Sequence, residues 1–166
     1  MARRRSFEAG HQRKFLIIVD DSPEVESALF YAASRVQRAS GTVVMLYVIE
    51  PQQFMHWVGV RDRQIEEETA TAKALFRMFR RKLNQAGFEE VAAEEAIREG
   101  QKAEQILQTI AEDEDIAILV LGASTDANGP GPLVASLAAG KQAGSFPIPI
   151  TIVPGYLALE DIKSLA

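Results

Sequence analysis

The 166-residue chain contains no cysteine. That removes disulfides, thiolate nucleophiles and cysteine-ligated zinc. Histidine is nearly as scarce, with two copies. His11 lies near the start and His56, beside Trp57, in an irregular stretch, so a Ser-His-Asp triad would have to use His56, and no G-x-S-x-G elbow is present. No apolar run approaches the roughly 18 residues of a membrane span. The opening MARRRSFEAGHQRK is basic but has no hydrophobic segment behind it, unlike a secretory signal. The acidic runs Glu66–Glu68, Glu94-Glu95 and Glu112–Asp115 show no metal-ligand spacing and read as solvent-facing. These absences make a cytoplasmic protein without a metal centre the expectation, and a protein that is not an enzyme.

What is present is unevenly charged. Residues 1–14 hold five Lys/Arg against one Glu, so the rest of the chain carries about −9 within an overall −5. An acidic body is a poor nucleic-acid binder, because phosphates need a basic face. The Arg3–Arg5 cluster is expected in a disordered, solvated tail over residues 1–13, with an acidic partner or RNA as the alternative. With 47% hydrophobic and 25% charged residues, the remainder suits one globular domain.

The apolar pattern supplies the elements. FLIIV (Phe15–Val19) is apolar throughout, as a strand covered on both faces must be. Ser22-Pro23 offers an N-cap and first-turn proline, and Val25, Ala28, Leu29, Ala32, Ala33 and Val36 follow at helical spacing. TVVMLYVI (Thr42–Ile49) is the second strand. After an irregular stretch, a helix from about Asp62 to Ala86 turns Ile65, Ala72, Leu75, Phe76, Phe79 and Leu83 inward. EEVAAEEAI (Glu89–Ile97) reads as a third strand. Ala103, Ile106, Leu107, Ile110 and Ala111 mark the next helix, and IAILVL (Ile116–Leu121) a fourth strand. A glycine-rich stretch and a helix from about Pro132 to Ala143 precede the last strand, IPITIV (Ile148–Val153). Residues 156–166 read as a tail or short helix.

Five strands alternating with helices predict a single-domain α/β fold, a parallel sheet with helices on both faces. Ligands of such sheets bind beyond the carboxyl ends of the strands. Three loops are expected to meet there: Asp20–Ser22, Glu50-Pro51 and Gly122–Gly131.

Two other phosphate chemistries fail on their residues. LIIVDDSP fits the start of a phosphorelay receiver, but the third strand ends AIREG without an aspartate and the fifth ends IVPG without a lysine. Lys141 in AAGKQ lacks both the upstream glycine of a P-loop and its following Ser/Thr.

In order and spacing, IIVDDSPEVESAL, LYVIEP, REGQKAEQILQTIAEDEDIAILVLGAS and PIPITIV resemble the universal stress protein family over about residues 14–155. The resemblance implies a 3-2-1-4-5 sheet of the adenine nucleotide alpha hydrolase type. It also implies homodimers through the last strand (Ile148–Val153) and a role in stress survival. Some members bind ATP, using G-x2-G-x9-G-(S/T) after the fourth strand. Here Gly122 matches the first glycine and Thr125 stands at the second. Ser136-Leu137 stands at the final pair, or, with a longer loop, Gly129 and Gly140-Lys141 take those places. Pro130 and Pro132 remove two N–H donors. On the adenine side, Asp20 either contacts the nucleoside or only caps a helix, and Val48 either flanks the base or only fills the core.

The expectation is thus a stress-response binding or regulatory protein. One form holds ATP or AMP with Mg2+, adenine near Asp20 and Val48 and phosphates near Gly122, Ser124, Gly129, Gly131 and Ser136. The other lacks nucleotide and recruits proteins through its dimer surface and the excursion 51–62. With no convincing general base, any hydrolysis would be feeble.

Overall fold

A computed structural model describes residues 3–51 and 58–166. His56 and Trp57 lie outside the described residues, as does most of the excursion. The strands are β1 (Lys14–Ile18), β2 (Thr42–Ile49), β3 (Ala93–Glu99), β4 (Ile116–Ala123) and β5 (Ile150–Pro154). The helices among the described residues are α1 (Val25–Ala39), α2 (Val58–Gln85), α3 (Lys102–Glu112) and α4 (Leu159–Leu165). The sheet is parallel throughout, in the order β3-β2-β1-β4-β5. None of the described helices is long and apolar enough to cross a membrane.

Strand β1 shows why its run is uniformly apolar. Phe15 and Ile17 enter a core with Leu29 of α1 and Phe76 and Phe79 of α2. Leu16 and Ile18 enter a second core with Ile106 and Ile110 of α3. Each of these four side chains is at most 5% exposed, so both faces of the central strand are buried.

Several boundaries move from their sequence-based positions. Helix α1 begins at Val25, with Glu24 at its N-cap and no side-chain cap there. Asp20 instead closes the turn ahead of it. Strand β3 begins at Ala93, because Phe88 is buried and Val91 N–H turns back to the Phe88 carbonyl (3.1 Å). Helix α3 buries Ile106 and Ile110 but leaves Leu107 and Ala111 exposed. The helix expected over 132–143 starts at Pro132 but ends at Ala138, its last five residues (Val134–Ala138) π-helical, and a 3-10 turn follows at Ala143–Ser145. Gly140 breaks it: a Cβ there would lie 2.2 Å from the Ser136 carbonyl oxygen.

Residues 3–13, expected as a free tail, lie against the α3–β4 turn. Arg4 Nη1 donates to the carbonyls of Ile110 (2.6 Å), Asp113 (3.0 Å) and Ile116 (3.3 Å). Helix α3 has no basic residue in its own last turn, so Arg4 supplies the cation its C-terminal carbonyls favour. Arg5 pairs with Glu8 and Glu114, and His11 Nδ1 sits 2.6 Å from Asp115 Oδ1. The cause of the difference is electrostatic: the basic segment lands on the acidic run Glu112–Asp115.

The C-terminal residues form α4, which packs on α1 through buried Ile162. Lys163 donates to the Ala86 carbonyl (2.6 Å) and lies 5.0 Å from the Phe88 ring centroid.

Candidate functional site at the carboxyl edge of the sheet

Two of the three expected loops do meet. The turn after β1 and the loop after β4 enclose a cavity of about 50 Å³ lined by Asp20, Ser22, Glu24, Gly122, Gly131 and Lys102, among others. Among the described residues of the turn after β2, Glu50 and Pro51 do not line it. The Glu50 carboxylate instead accepts the Lys102 backbone N–H (3.3 Å), while Lys102 itself lines the cavity. On the outer side of the β4 loop lies an open depression of about 430 Å³, which shares Glu24 and Pro130–Pro132 with the cavity and adds Ser124, Asp126, Asn128 and Gly129.

The two walls touch because of glycine. At Gly122 a Cβ would stand 2.1 Å from the Glu24 carbonyl oxygen. At Gly155 it would stand 2.5 Å from the Ala123 carbonyl and 3.1 Å from Glu24 Cβ. A side chain at Gly122 would force β4 away from the start of α1, and one at Gly155 would force the segment after β5 away from β4. The first glycine of the stretch therefore has a packing reason to be glycine.

The loop beyond it closes on itself. Ser124 N–H donates to the Pro130 carbonyl (2.9 Å), and Gly129 N–H to the Asp126 carbonyl (3.2 Å). Asp126 N–H donates to Ser124 Oγ (3.1 Å), and Asn128 N–H to Asp126 Oδ1 (2.9 Å). Gly129 (φ 116°) and Gly131 (φ 103°) sit in left-handed conformations that favour glycine and allow this closure. Four backbone donors are thereby occupied, and Pro130 and Pro132 have none to give. An anion cradle needs such donors free and converging.

The other candidate residues are placed as follows. Asp20 is half-buried, and its Oδ1 accepts from Ser22 N–H (2.8 Å) and from the Ser22 hydroxyl. Val48 is buried in the core between the sheet and α3 and is not among the residues lining the cavity. Ser136 is exposed on the π-turn, outside both depressions.

The electrostatics oppose phosphate. Asp20, Glu24 and Asp126 line the two depressions, and Lys102 is the one cation among the described lining residues. Burial pushes the nearby Tyr47 hydroxyl above its ordinary pKa, and the charges of Glu68, Asp21 and Asp20 add to that shift. No group of three or more His, Asp or Glu side chains that could hold a metal ion occurs among the described residues. Small-molecule sites usually enclose about 300–1,000 Å³. The inner cavity has room for water and little more. The outer depression reaches the volume of a small-molecule site but is lined by Glu24 and Asp126 with no cation among its described lining residues, so the chemistry of the loop does not fit a nucleotide's phosphates.

Sequence reasoning missed Glu24, Lys102 and Gly155. No local signal marks them, since each acquires its place only when distant segments approach.

Comparison with known proteins agrees with this architecture. UspA from Lactobacillus plantarum is similar over 92% of this chain and 99% of its own, at 20% identity and a TM-score of 0.66. A universal stress protein from Archaeoglobus fulgidus in complex with dAMP aligns over 85% of this chain and 97% of its own, at 18% identity and a TM-score of 0.55. One from Arabidopsis thaliana with AMP bound aligns over 86% and 91%, at 15% identity and a TM-score of 0.52. At these identities the likeness concerns the fold. No curated protein matches the chain. The model of the universal stress protein family matches residues 12–154, nearly the whole body from the arm to the end of β5. With the sheet order in agreement, the chain belongs to the universal stress protein family.

Proposed function

We propose that this chain is a nucleotide-independent universal stress protein: a cytoplasmic, dimeric binding protein of the stress response, without enzymatic turnover. One observation carries the reading. The loop after β4, which in ATP-binding members would hold phosphates, turns its donors inward and is lined by Glu24 and Asp126. The dimer is supported by β5, which pairs with β4 on one edge only among the described residues and leaves Ile152 43% exposed. Unpaired strand edges invite pairing with another chain.

A second reading, adenine nucleotide binding, is favoured by the similar structures that hold dAMP and AMP and by the meeting of Asp20, Gly122 and Gly131 at one cavity. In that reading the adenine lies near Asp20 and Val48, and the phosphates with Mg2+ lie near Gly122, Ser124, Gly129, Gly131 and Ser136.

Thermal denaturation with millimolar ATP or AMP, with and without Mg2+, separates the two. Ligand at about 100 times Kd stabilises a folded protein by about 2.7 kcal/mol, a rise of roughly 5–10 °C for a domain of this size. The first reading expects no rise and no phosphate release. A saturable rise with either nucleotide overturns it. Light scattering should give twice the 18.2 kDa chain mass, and a monomer would remove the dimer from the proposal.

A further inference from the structure

We propose that Glu24 is the residue that excludes phosphate from the β4 loop, by placing the chain's own carboxylate where a ligand's anion would sit. This rests on the nucleotide-independent reading above and names the determinant of it.

The glycines of the region fit around this one residue. Its carbonyl oxygen stands 2.1 Å from the ideal Cβ position of Gly122, a distance no side chain there could accept, and its Cβ stands 3.1 Å from that of Gly155, a tight contact. Its Oε1 lies 3.7 Å from where a Cβ would stand on Gly131. Glu24 is also common to the lining of the inner cavity and the outer depression, together with Pro130–Pro132. Its backbone is helical at the N-cap of α1 (φ −73°, ψ −11°), and its side chain caps nothing there. Helix N-termini attract anions, and here the anion is already part of the chain.

The Glu24 carboxylate makes no hydrogen bond or ion pair among the described residues. Packing alone holds it, so Glu24→Gln should remove the charge without disturbing a polar network. For two unit like charges about 5 Å apart, with an effective dielectric constant between about 20 and 80, relief of the repulsion is worth roughly 4- to 300-fold in affinity.

The test measures AMP and inorganic phosphate binding by calorimetry for the wild type, Glu24→Gln, Glu24→Ala and Glu26→Gln. Glu26 carries the same charge change, faces Lys82 (3.2 Å) and lines neither depression. The expected result is negligible binding by the wild type and Glu26→Gln. AMP should bind at least about fourfold more tightly to one or both Glu24 variants. The proposal is overturned if both Glu24 variants keep the wild-type melting temperature and bind no better. It is also overturned if Glu26→Gln gains as much, which would make the effect one of net charge. Tight AMP binding by the wild type would instead refute the nucleotide-independent reading itself, and with it any exclusion to explain.

Discussion

Gly122→Ala distinguishes a glycine kept for packing from one kept for a ligand. In the structure the added methyl would lie 2.1 Å from the Glu24 carbonyl oxygen, where real Cβ contacts essentially never fall below 3.0 Å. The gap must therefore open by about 1 Å between backbone segments, with no flexible side chain to yield. Gly155, just after the neighbouring strand, also approaches Glu24, its ideal Cβ position 3.1 Å from Glu24 Cβ. Overpacking of this kind costs about 1–3 kcal/mol and occasionally more, and the backbone position places Gly122→Ala at the upper end. At about 2–4 °C per kcal/mol for a domain of this size, the melting temperature should fall by roughly 6–12 °C without any ligand. Gly144→Ala is the control, since nothing lies within 4 Å of its Cβ position and its φ is outside the left-handed range. Differential scanning calorimetry on the two variants is sufficient. A Gly122→Ala protein that melts within 1 °C of wild type would refute the packing account and return this glycine to a ligand.

Three further outcomes follow from named contacts. Arg4→Ala leaves three carbonyls at the end of α3 without their cation and should lower stability by about 1–3 kcal/mol in urea titration; an unchanged midpoint would mean the arm is not docked in solution. Ser40 holds φ 62° and ψ 164°, a region that glycine alone adopts freely, so Ser40→Gly should stabilise by about 1 kcal/mol after the flexibility it adds to the unfolded chain, and a loss of stability would contradict that backbone. Finally, Lys14 and Tyr47 have raised folded pKa values. For Lys14, burial opposes the shift but hydrogen bonds to Asp113 and Glu94 outweigh it, and for Tyr47 burial itself raises the value. Groups raised in the folded state contribute stability that is present below their unfolded values, 10.5 and 10.0, and is lost as pH rises through the folded values. Melting temperature should fall above about pH 10, less steeply in Tyr47→Phe, and an equal slope in that variant would exclude Tyr47 as a contributor.

The sequence made some features legible and hid others for definite reasons. The face of α1 was readable because Val25, Ala28, Leu29, Ala32, Ala33 and Val36 recur at one helical period, and all six are buried. The helix after the glycine loop was misread because its apolar residues gave a helical pattern while the close turn at Gly140 had no pattern at all. The arm was misread because its arginines have partners only once α3 and β4 bring Glu112–Asp115 beneath them. Asp20 carried two meanings in sequence, and the observed one for its Oδ1 is the local turn with Ser22.

Taken alone, the amino-acid order determined the alternation of strands and helices and the double-sided burial of β1, because periodicity and apolar runs are properties of neighbouring residues. Tertiary structure alone decided that Gly122 meets Glu24 and that Glu24 and Asp126 line the depression at the loop after β4. It also decided that the basic N-terminal segment clamps α3. Those facts depend on how closely two backbones approach from far apart in the chain, and no local pattern encodes that distance.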